Sequence, residues 1–290
     1  MPETPLVSIV VANYDYACYL PRLFDSLAGQ TFGLGRVELV VVDDGSTDGS
    51  VPVARALGAA LGLARLRVLP LRHQGHPGPV RNAGLRVAAG RYLLCLDPDD
   101  ELAPGFLART VAALEADPGV ALAYTDYVES GPGGSRDVAL PEFDPGLLRT
   151  QNPLTLATLM RREVFAASRG FSAATAYEDW DFWVQAAAAG FAGVRVPAPL
   201  FCYNHHRANF SWRARLADGR AKAQIVADNK YFFDPEVLAW ARALLRGEAW
   251  AVPFKRGLIP RARDVAALRA IAADVARARR AAPLARAQGS

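Results

Sequence analysis

The stretch Tyr92-Leu93-Leu94-Cys95-Leu96-Asp97-Pro98-Asp99-Asp100 decides how the rest of the chain is read. Five apolar residues have the length and the bounding turn of a buried strand, and Pro98, which has no backbone N–H, forbids regular pairing beyond it. Three carboxylates, Asp97, Asp99 and Asp100, then fall within four positions. Carboxylates this close repel one another, and a hard divalent cation with oxygen ligands, Mg²⁺ or Mn²⁺, relieves the repulsion most simply. A solvated acidic turn is the plainer alternative, and aspartates at strand ends also serve phosphatases and response regulators.

Upstream, Leu6 to Ala12 is β-branched and nearly continuous, the pattern of a central parallel strand. A loop from Asn13 to Ala17 leads to a helix with Pro21 in its first turn and Leu20, Leu23, Phe24 and Leu27 on one face. Val37 to Val42 is a second buried strand, stopped by Asp43-Asp44-Gly45-Ser46-Thr47-Asp48-Gly49-Ser50, where Asp48 or Ser50 can cap a helix running to Leu63. A third strand spans Leu66 to Leu71. The βαβαβ order implies right-handed crossovers and a ligand crevice at the carboxyl ends of the strands. Asn13, Asp43, Asp44 and the acidic cluster all fall there, although Asp and Asn are also favoured in turns for their own sake. After the stiff loop His73 to Pro79 comes a helix from Val80 to Ala89 with Arg81 and Asn82 in its first turn. A cation at that end opposes the helix dipole, so Arg81 predicts an anionic ligand there or a salt bridge to a loop aspartate.

Downstream, a helix from Pro104 to Ala116 and a strand from Val120 to Thr125 are predicted. Tyr127 to Thr150 loses its period around Gly131 to Gly134, which predicts a surface hairpin or excursion rather than a linker. Asn152 to Phe165 resembles a strand feeding a short helix. Glu178-Asp179-Trp180-Asp181-Phe182-Trp183 opens a helix to Gly190. Acidic residues suit a helix N-terminus electrostatically, and the bulky Trp180, Phe182 and Trp183 should bury one of them enough to raise its pKa toward that of a useful base. Val194 to Pro197 is expected as a short edge strand. His205 and His206 follow, and as neighbours in extended chain they should point to opposite sides. Asp234 to Arg246 and Asp264 to Ala282 predict helices, the latter with a narrow apolar stripe of Val265, Leu268, Ala272 and Val275.

The 290 residues carry a formal charge of +4, unevenly placed. From Lys255 onward nine basic residues face two acidic ones, so this tail holds +7 and the remainder −3. The basic pI thus belongs to the tail, which argues against a nucleic-acid partner for the main domain. The basic helix could dock on its own domain, pair with a second subunit in a homodimer or lie on an anionic membrane face. Cys18, Cys95 and Cys202 are odd in number and without a CxxC pattern, which fits a reducing compartment. The first residues lack the basic n-region of a secretory signal, and no run approaches the roughly 18 apolar residues of a membrane span. A cytoplasmic protein, or one peripheral at the inner membrane face, is expected, with a catalytic domain over 1–215 and a helical, basic extension over 216–290.

With these residues quoted, the chain resembles family 2 glycosyltransferases of the GT-A fold. Five segments carry the resemblance in order: Val7 to Tyr14, Val41 to Asp48, Arg81-Asn82-Ala83-Gly84, Asp97-Pro98-Asp99-Asp100, and Glu178 to Trp183. It implies a Rossmann-like, mostly parallel central sheet flanked by helices, with the C-terminal helical extension outside it. It also implies a nucleotide-sugar donor whose base is bound by Ala12, Asn13, Tyr14, Asp15 and Asp44, with Asp97 and Asp99 at the nucleotide and Arg81 beside its phosphates. Asp99 and Asp100 would hold the metal. Tyr203 to Ser211 resembles a segment that gives His206, rather than His205, the metal-facing position, with Asn204 where the family has Arg. Glu178 and Asp179 match the ED motif, whose aspartate is the base in inverting members, working on an acceptor that is a glycan, a lipid-linked sugar or a small molecule. No Gln-x-x-Arg-Trp segment follows, which speaks against a processive synthase. The alternatives are a sugar-phosphate nucleotidyltransferase, which should open on a Gly-rich loop with Arg and Lys, and a non-catalytic nucleotide- or carbohydrate-binding relative.

Overall fold

The computed structural model describes residues 5–206 and 217–287, with side chains to residue 278. Asn209 and Ser211 of the resemblance lie outside the described residues. The chain forms two compact units: Met1–Pro145, Pro153–Ala173 and Glu178–Asn209 make the first, and Gly146–Asn152, Ala174–Tyr177 and Phe210–Ser290 the second.

In the first unit, β1 (Val7–Asn13), α1 (Leu20–Ala28), β2 (Val37–Asp43), α2 (Ser50–Ala59), β3 (Arg65–Pro70), α3 (Pro77–Val87) and β4 (Tyr92–Leu96) build the parallel half of the sheet. Then come β5 (Glu101–Leu102), α4 (Phe106–Ala116), β6 (Val120–Gly131), β7 (Gly134–Val138), α5 (Pro145–Leu148), β8 (Leu159–Arg161), α6 (Arg162–Ala166), α7 (Glu178–Ala188) and β9 (Ala192–Asn204). Among the described residues the strands form one sheet in the order β3-β2-β1-β4-β8-β6-β9-β5, with β7 paired to β6. The long ladders, β1 with β2 and β4, β2 with β3, and β6 with β9, are parallel, apart from the β6–β7 hairpin, and the antiparallel pairs through β8 and β5 span two residues each. This is the mixed α/β, mostly parallel sheet that the strand pattern predicts.

β1, β2 and β4 are buried throughout or nearly so, as strands covered on both faces must be. On one face Leu20, Leu23, Phe24 and Leu27 of α1 pack with Ile9, Val11, Leu39, Val41 and Leu94. On α3, a Cβ on Gly84 would stand 2.4 Å from Val10 Cγ1 and 2.8 Å from Val42 Cγ2, so only glycine admits that approach. The parallel strands end together, which puts Asn13, Asp43 and Asp97 on one edge.

Two expectations need correction. β9 is a thirteen-residue strand between β6 and β5, not a short edge strand at Val194 to Pro197. Its ladder with β6 slips between Thr125 and Tyr127, pairing Asp126 with Pro199 and leaving Pro197 outside the register. α2 ends at Ala59 rather than Leu63, with Gly62 turning the chain at φ +64°. β5, hidden in the sequence behind the acidic turn, pairs Glu101 and Leu102 with Cys202 and Phe201. The hairpin expected around Gly131 to Gly134 is β6–β7.

The second unit contains α8 (Asp218–Asp228), α9 (Pro235–Arg246) and α10 (Ala262–Ala287). Its core includes Ile225, Val226, Trp240 and Ile259, and Lys222 is fully buried against Asp218 (2.5 Å) and the Lys255 carbonyl (2.8 Å).

Candidate active site

The site is assembled from loops that follow parallel strands. Asn13 is buried at the end of β1, where its Nδ2 donates to Asp43 Oδ1 (2.9 Å) and Ser46 Oγ (3.1 Å). Asp15, at φ +53°, accepts from Thr47 N through Oδ1 (2.7 Å), and Ala17 N donates to Asp48 Oδ2 (2.8 Å). The loop at Ala12 to Asp15 is thereby laced to the loop after β2. Asp44 is buried there and takes Gln74 N on one oxygen (2.7 Å) and Gly75 N on the other (3.2 Å). His73, 3.0 Å from Asp44, stacks on the exposed ring of Tyr14 with centroids 4.2 Å apart. A carboxylate has about four acceptor sites, so Asp44 keeps capacity for a further donor.

Asp97, Asp99 and Asp100 bring one oxygen each within 4.8 Å of one another. Burial pushes Asp99 up to about 6, the Asp97 charge adding to it and His206 opposing it. Asp100 lies well above the ordinary carboxylate range, first through burial and then through the charges of Asp99 and Asp97. His206 Nε2 is 2.7 Å from Asp99 Oδ2, whereas His205 Nε2 is 2.6 Å from Glu129 Oε1, so the two imidazoles do diverge.

Arg81 joins this cluster to the start of α7. Its Nη2 lies 2.7 Å from Asp97 Oδ1, and its Nη1 pairs with Glu178 Oε1. Of the two expectations for Arg81, the structure holds the salt bridge to a loop aspartate, Asp97, and adds Glu178 as a second carboxylate. Burial works against its charge, yet Asp97 and Glu178 raise its pKa, and its guanidinium stands 5.7 Å over the Phe171 ring. Phe171 stacks on Phe182 at 4.3 Å and is held through its backbone by Asn82, which donates to its carbonyl (2.8 Å) and accepts from its N–H (2.9 Å). Burial raises Glu178 against the pull of Arg81. Burial, followed by the Glu178 charge, lifts Asp179 to about 7. The acidic cluster and the first turn of α7 are therefore separated by the width of one guanidinium.

Several neighbours carry no mark in the sequence. Tyr19 stacks on His206 (4.7 Å), and Tyr16 stands 5.8 Å from the same ring. Arg22 pairs with Glu101 at 3.0 Å. Asn204, the residue in place of the family's Arg, donates from its backbone to Asp100 Oδ1 (3.0 Å) and from Nδ2 to the Asp99 carbonyl (2.9 Å). Cys18 is exposed beside Tyr19, and Cys202 is half-buried. Cys95 is buried, which pushes its thiol up to about 12.

The architecture is shared with solved glycosyltransferases. Staphylococcus aureus TarS 1–349 in complex with UDP-GlcNAc superposes with a TM-score of 0.63 at 21% identity, over 83% of this chain and 71% of that one. The mannosyltransferase PcManGT from Pyrobaculum calidifontis, in complex with GDP-Man and Mn²⁺, gives 0.62 at 22% identity over 98% and 81%. The fold is of the GT-A type. Residues 8–168, more than half of the chain, match the sequence profile of glycosyl transferase family 2, and the protein belongs to that family. A putative glycosyltransferase, EpsH of Bacillus subtilis, is 35% identical over 104 residues, covering 36% of this chain and 29% of EpsH. The succinoglycan biosynthesis protein ExoO of Rhizobium meliloti is 39% identical over 114 residues, 39% of this chain and 31% of ExoO. The match thus spans less than a third of either relative.

Proposed function

We propose that the protein is an inverting, divalent-metal-dependent glycosyltransferase that moves a sugar from a nucleoside diphosphate donor to an acceptor hydroxyl, with Asp179 as general base. UDP is the first choice of nucleotide and dTDP the second. The observation that carries this reading is the Arg81 bridge, which holds Asp97 of the acidic cluster and Glu178, next to Asp179, around one cation. The two fold relatives, bound to UDP-GlcNAc and to GDP-Man with Mn²⁺, agree with a nucleotide-sugar donor.

The acidic cluster suits a hard cation, since its oxygens converge and burial with mutual repulsion disfavours the ionised form of Asp100. Asp99 and Asp100, with His206 against Asp99, would hold Mn²⁺ or Mg²⁺, which when bound neutralises the diphosphate as it leaves. Ala12, Asn13, Tyr14 and Asp15 form the wall for the base, Asp44 accepts from its ring N–H, and Asp97 and Asp99 orient the nucleotide. Arg81 acts on the phosphates as a buried positive charge. Asp179 takes the proton of the acceptor hydroxyl as that oxygen attacks the anomeric carbon opposite the leaving group, so configuration inverts. A base so placed contributes about 10²–10⁴ in rate. The acceptor, whether glycan, lipid-linked sugar or small molecule, would be met by the variable segments Tyr127 to Thr150 and Asn209 onward, the latter in part outside the described residues. The free cysteines suit a cytoplasmic setting, with the basic C-terminal helix toward the inner membrane face.

Asp179→Asn should reduce transfer by about 10²–10⁴ while the thermal shift caused by UDP and Mn²⁺ stays near that of the unaltered protein. A variant that keeps most of its transfer rate would sink the base assignment. Release of free nucleoside diphosphate from a donor sugar separates a catalyst from a non-catalytic relative, and a screen of nucleotides by melting temperature orders the donors.

A further inference from the structure

Arg81 is buried, and its guanidinium is anchored at two corners, Nη2 on Asp97 and Nη1 on Glu178. Its Nε has no hydrogen-bond partner among the described residues. A planar group held at two corners can still tilt about the line that joins them. A neighbour that bears on the tilt is Phe171, whose ring centroid lies 5.7 Å from the guanidinium carbon, within the reach of cation–π attraction. Phe171 sits in the loop after α6, and that loop is gripped from two helices. On the α7 side, Gln185 Oε1 accepts from Arg169 N (2.8 Å) while its Nε2 donates to the Gly170 carbonyl (3.1 Å). The same Nε2 donates to Asp181 Oδ2 (2.8 Å), one turn earlier and fully buried, so an amide flip would set oxygen against oxygen. On the α3 side, Asn82 binds the N–H and the carbonyl of Phe171 in the same fashion. Two side-chain amides thus hold three successive residues, and the seated ring meets Phe182 of α7, stacked at 4.3 Å, as well as Arg81 of α3.

We propose, on the donor-site reading above, that Phe171 is a positioning residue for sugar transfer. Its ring fixes the plane in which the Arg81 guanidinium spans Asp97 and Glu178, and so the orientation of the charge offered to the donor phosphates. α7 carries Glu178 and Asp179 in its first turn and α3 carries Arg81, so the loop clamped by the two amides ties together the helices whose side chains meet in the site. Buried loop backbone needs hydrogen-bond partners in any case. That need alone does not set an aromatic ring beside the guanidinium that bridges the site. The plane matters because a displacement of about 1 Å in a positioned group costs on the order of 100-fold in rate.

The test takes the full-length protein and Phe171→Leu, which keeps apolar bulk and removes the ring face. The Arg81 Nε–H resonance, identified in ¹⁵N spectra by its loss in Arg81→Lys, should be displaced by the ring current in the unaltered protein and lose that displacement in Phe171→Leu. Transfer should fall by about 10- to 100-fold in Phe171→Leu. Adding Phe171→Leu to Arg81→Lys should lower it by less than about twofold further, since residues that act as one unit are not additive. A ring that only fills the core would cost the same factor in both backgrounds. That result, an Arg81 resonance that does not move, or transfer by Phe171→Leu within about twofold of the unaltered protein would each overturn the proposal. Should Phe171→Leu not fold, Phe171→Met carries the same readouts, its unbranched chain adapting to the space beside Phe182. Undiminished transfer by Arg81→Lys would overturn the donor-site reading and this proposal with it, which separates that failure from a failure of Phe171 alone.

Discussion

A carboxyl that titrates near 7, as Asp179 does, is about half ionised at neutral pH. If it removes the acceptor proton, kcat/KM should climb about tenfold per pH unit below that value and level off above it, which initial rates across pH would show. The same shift bears on stability. The folded pKa lies above the roughly 3.9 of an unfolded aspartate, so the native state binds more protons between about pH 4 and 7 and loses stability as pH rises through that window. Asp179→Asn should therefore melt higher than the unaltered protein above pH 7, the advantage shrinking toward pH 4. Arg81 behaves in the opposite sense. Arg81→Met leaves Glu178 buried without its cation, and loss of one partner from a buried pair costs about 3–5 kcal/mol, readable in urea denaturation. The aspartates were legible in the sequence because strand-end carboxylates announce themselves. A loop aspartate was among the expected partners of Arg81; Glu178 was not, because it stands 97 positions away and no local pattern encodes that meeting.

At the level of elements, α3 is the part whose seating matters most to the site. It rests on β1 and β2 through Gly84 and carries Arg81 and Asn82 one turn earlier. Gly84→Ala would drive a methyl into Val10 and Val42, at about 1–3 kcal/mol for overpacking. The displaced helix would pull Arg81 from Asp97, so transfer should fall further than urea stability alone accounts for. The parallel core was readable because β-branched runs buried on both faces have no other comfortable setting. β9 was not, since Pro197 and Pro199 look like an ending until a slipped ladder absorbs them. β5 is two residues long and exists through its pairing to Phe201 and Cys202, a dependence that short-range periodicity cannot express. Asn204, in place of the family's arginine, fastens that strand end to the acidic loop by backbone and side chain together.

For the molecule as a whole, occupation of the acidic cluster is a reversible lever on stability. Mn²⁺ at about 100 times its dissociation constant should add about 2.7 kcal/mol, visible as a higher melting temperature that EDTA reverses. Asp100→Asn should remove that response and, by deleting a crowded buried charge, raise the melting temperature of the metal-free protein. The uneven distribution of charge could be counted from the sequence. That Gly146–Asn152 and Ala174–Tyr177 belong with the C-terminal unit could not, because membership depends on contacts such as Thr150 with Ile259 and Thr175 with Ala221. The three cysteines differ widely in reach, with Cys18 at the surface, Cys202 half-buried and Cys95 enclosed. A maleimide fluorophore offered briefly at neutral pH will thus attach at Cys18, in the loop that carries Tyr16 and Tyr19, and a chain with a single natural labelling point there gives an optical titration of donor capture without any engineered handle.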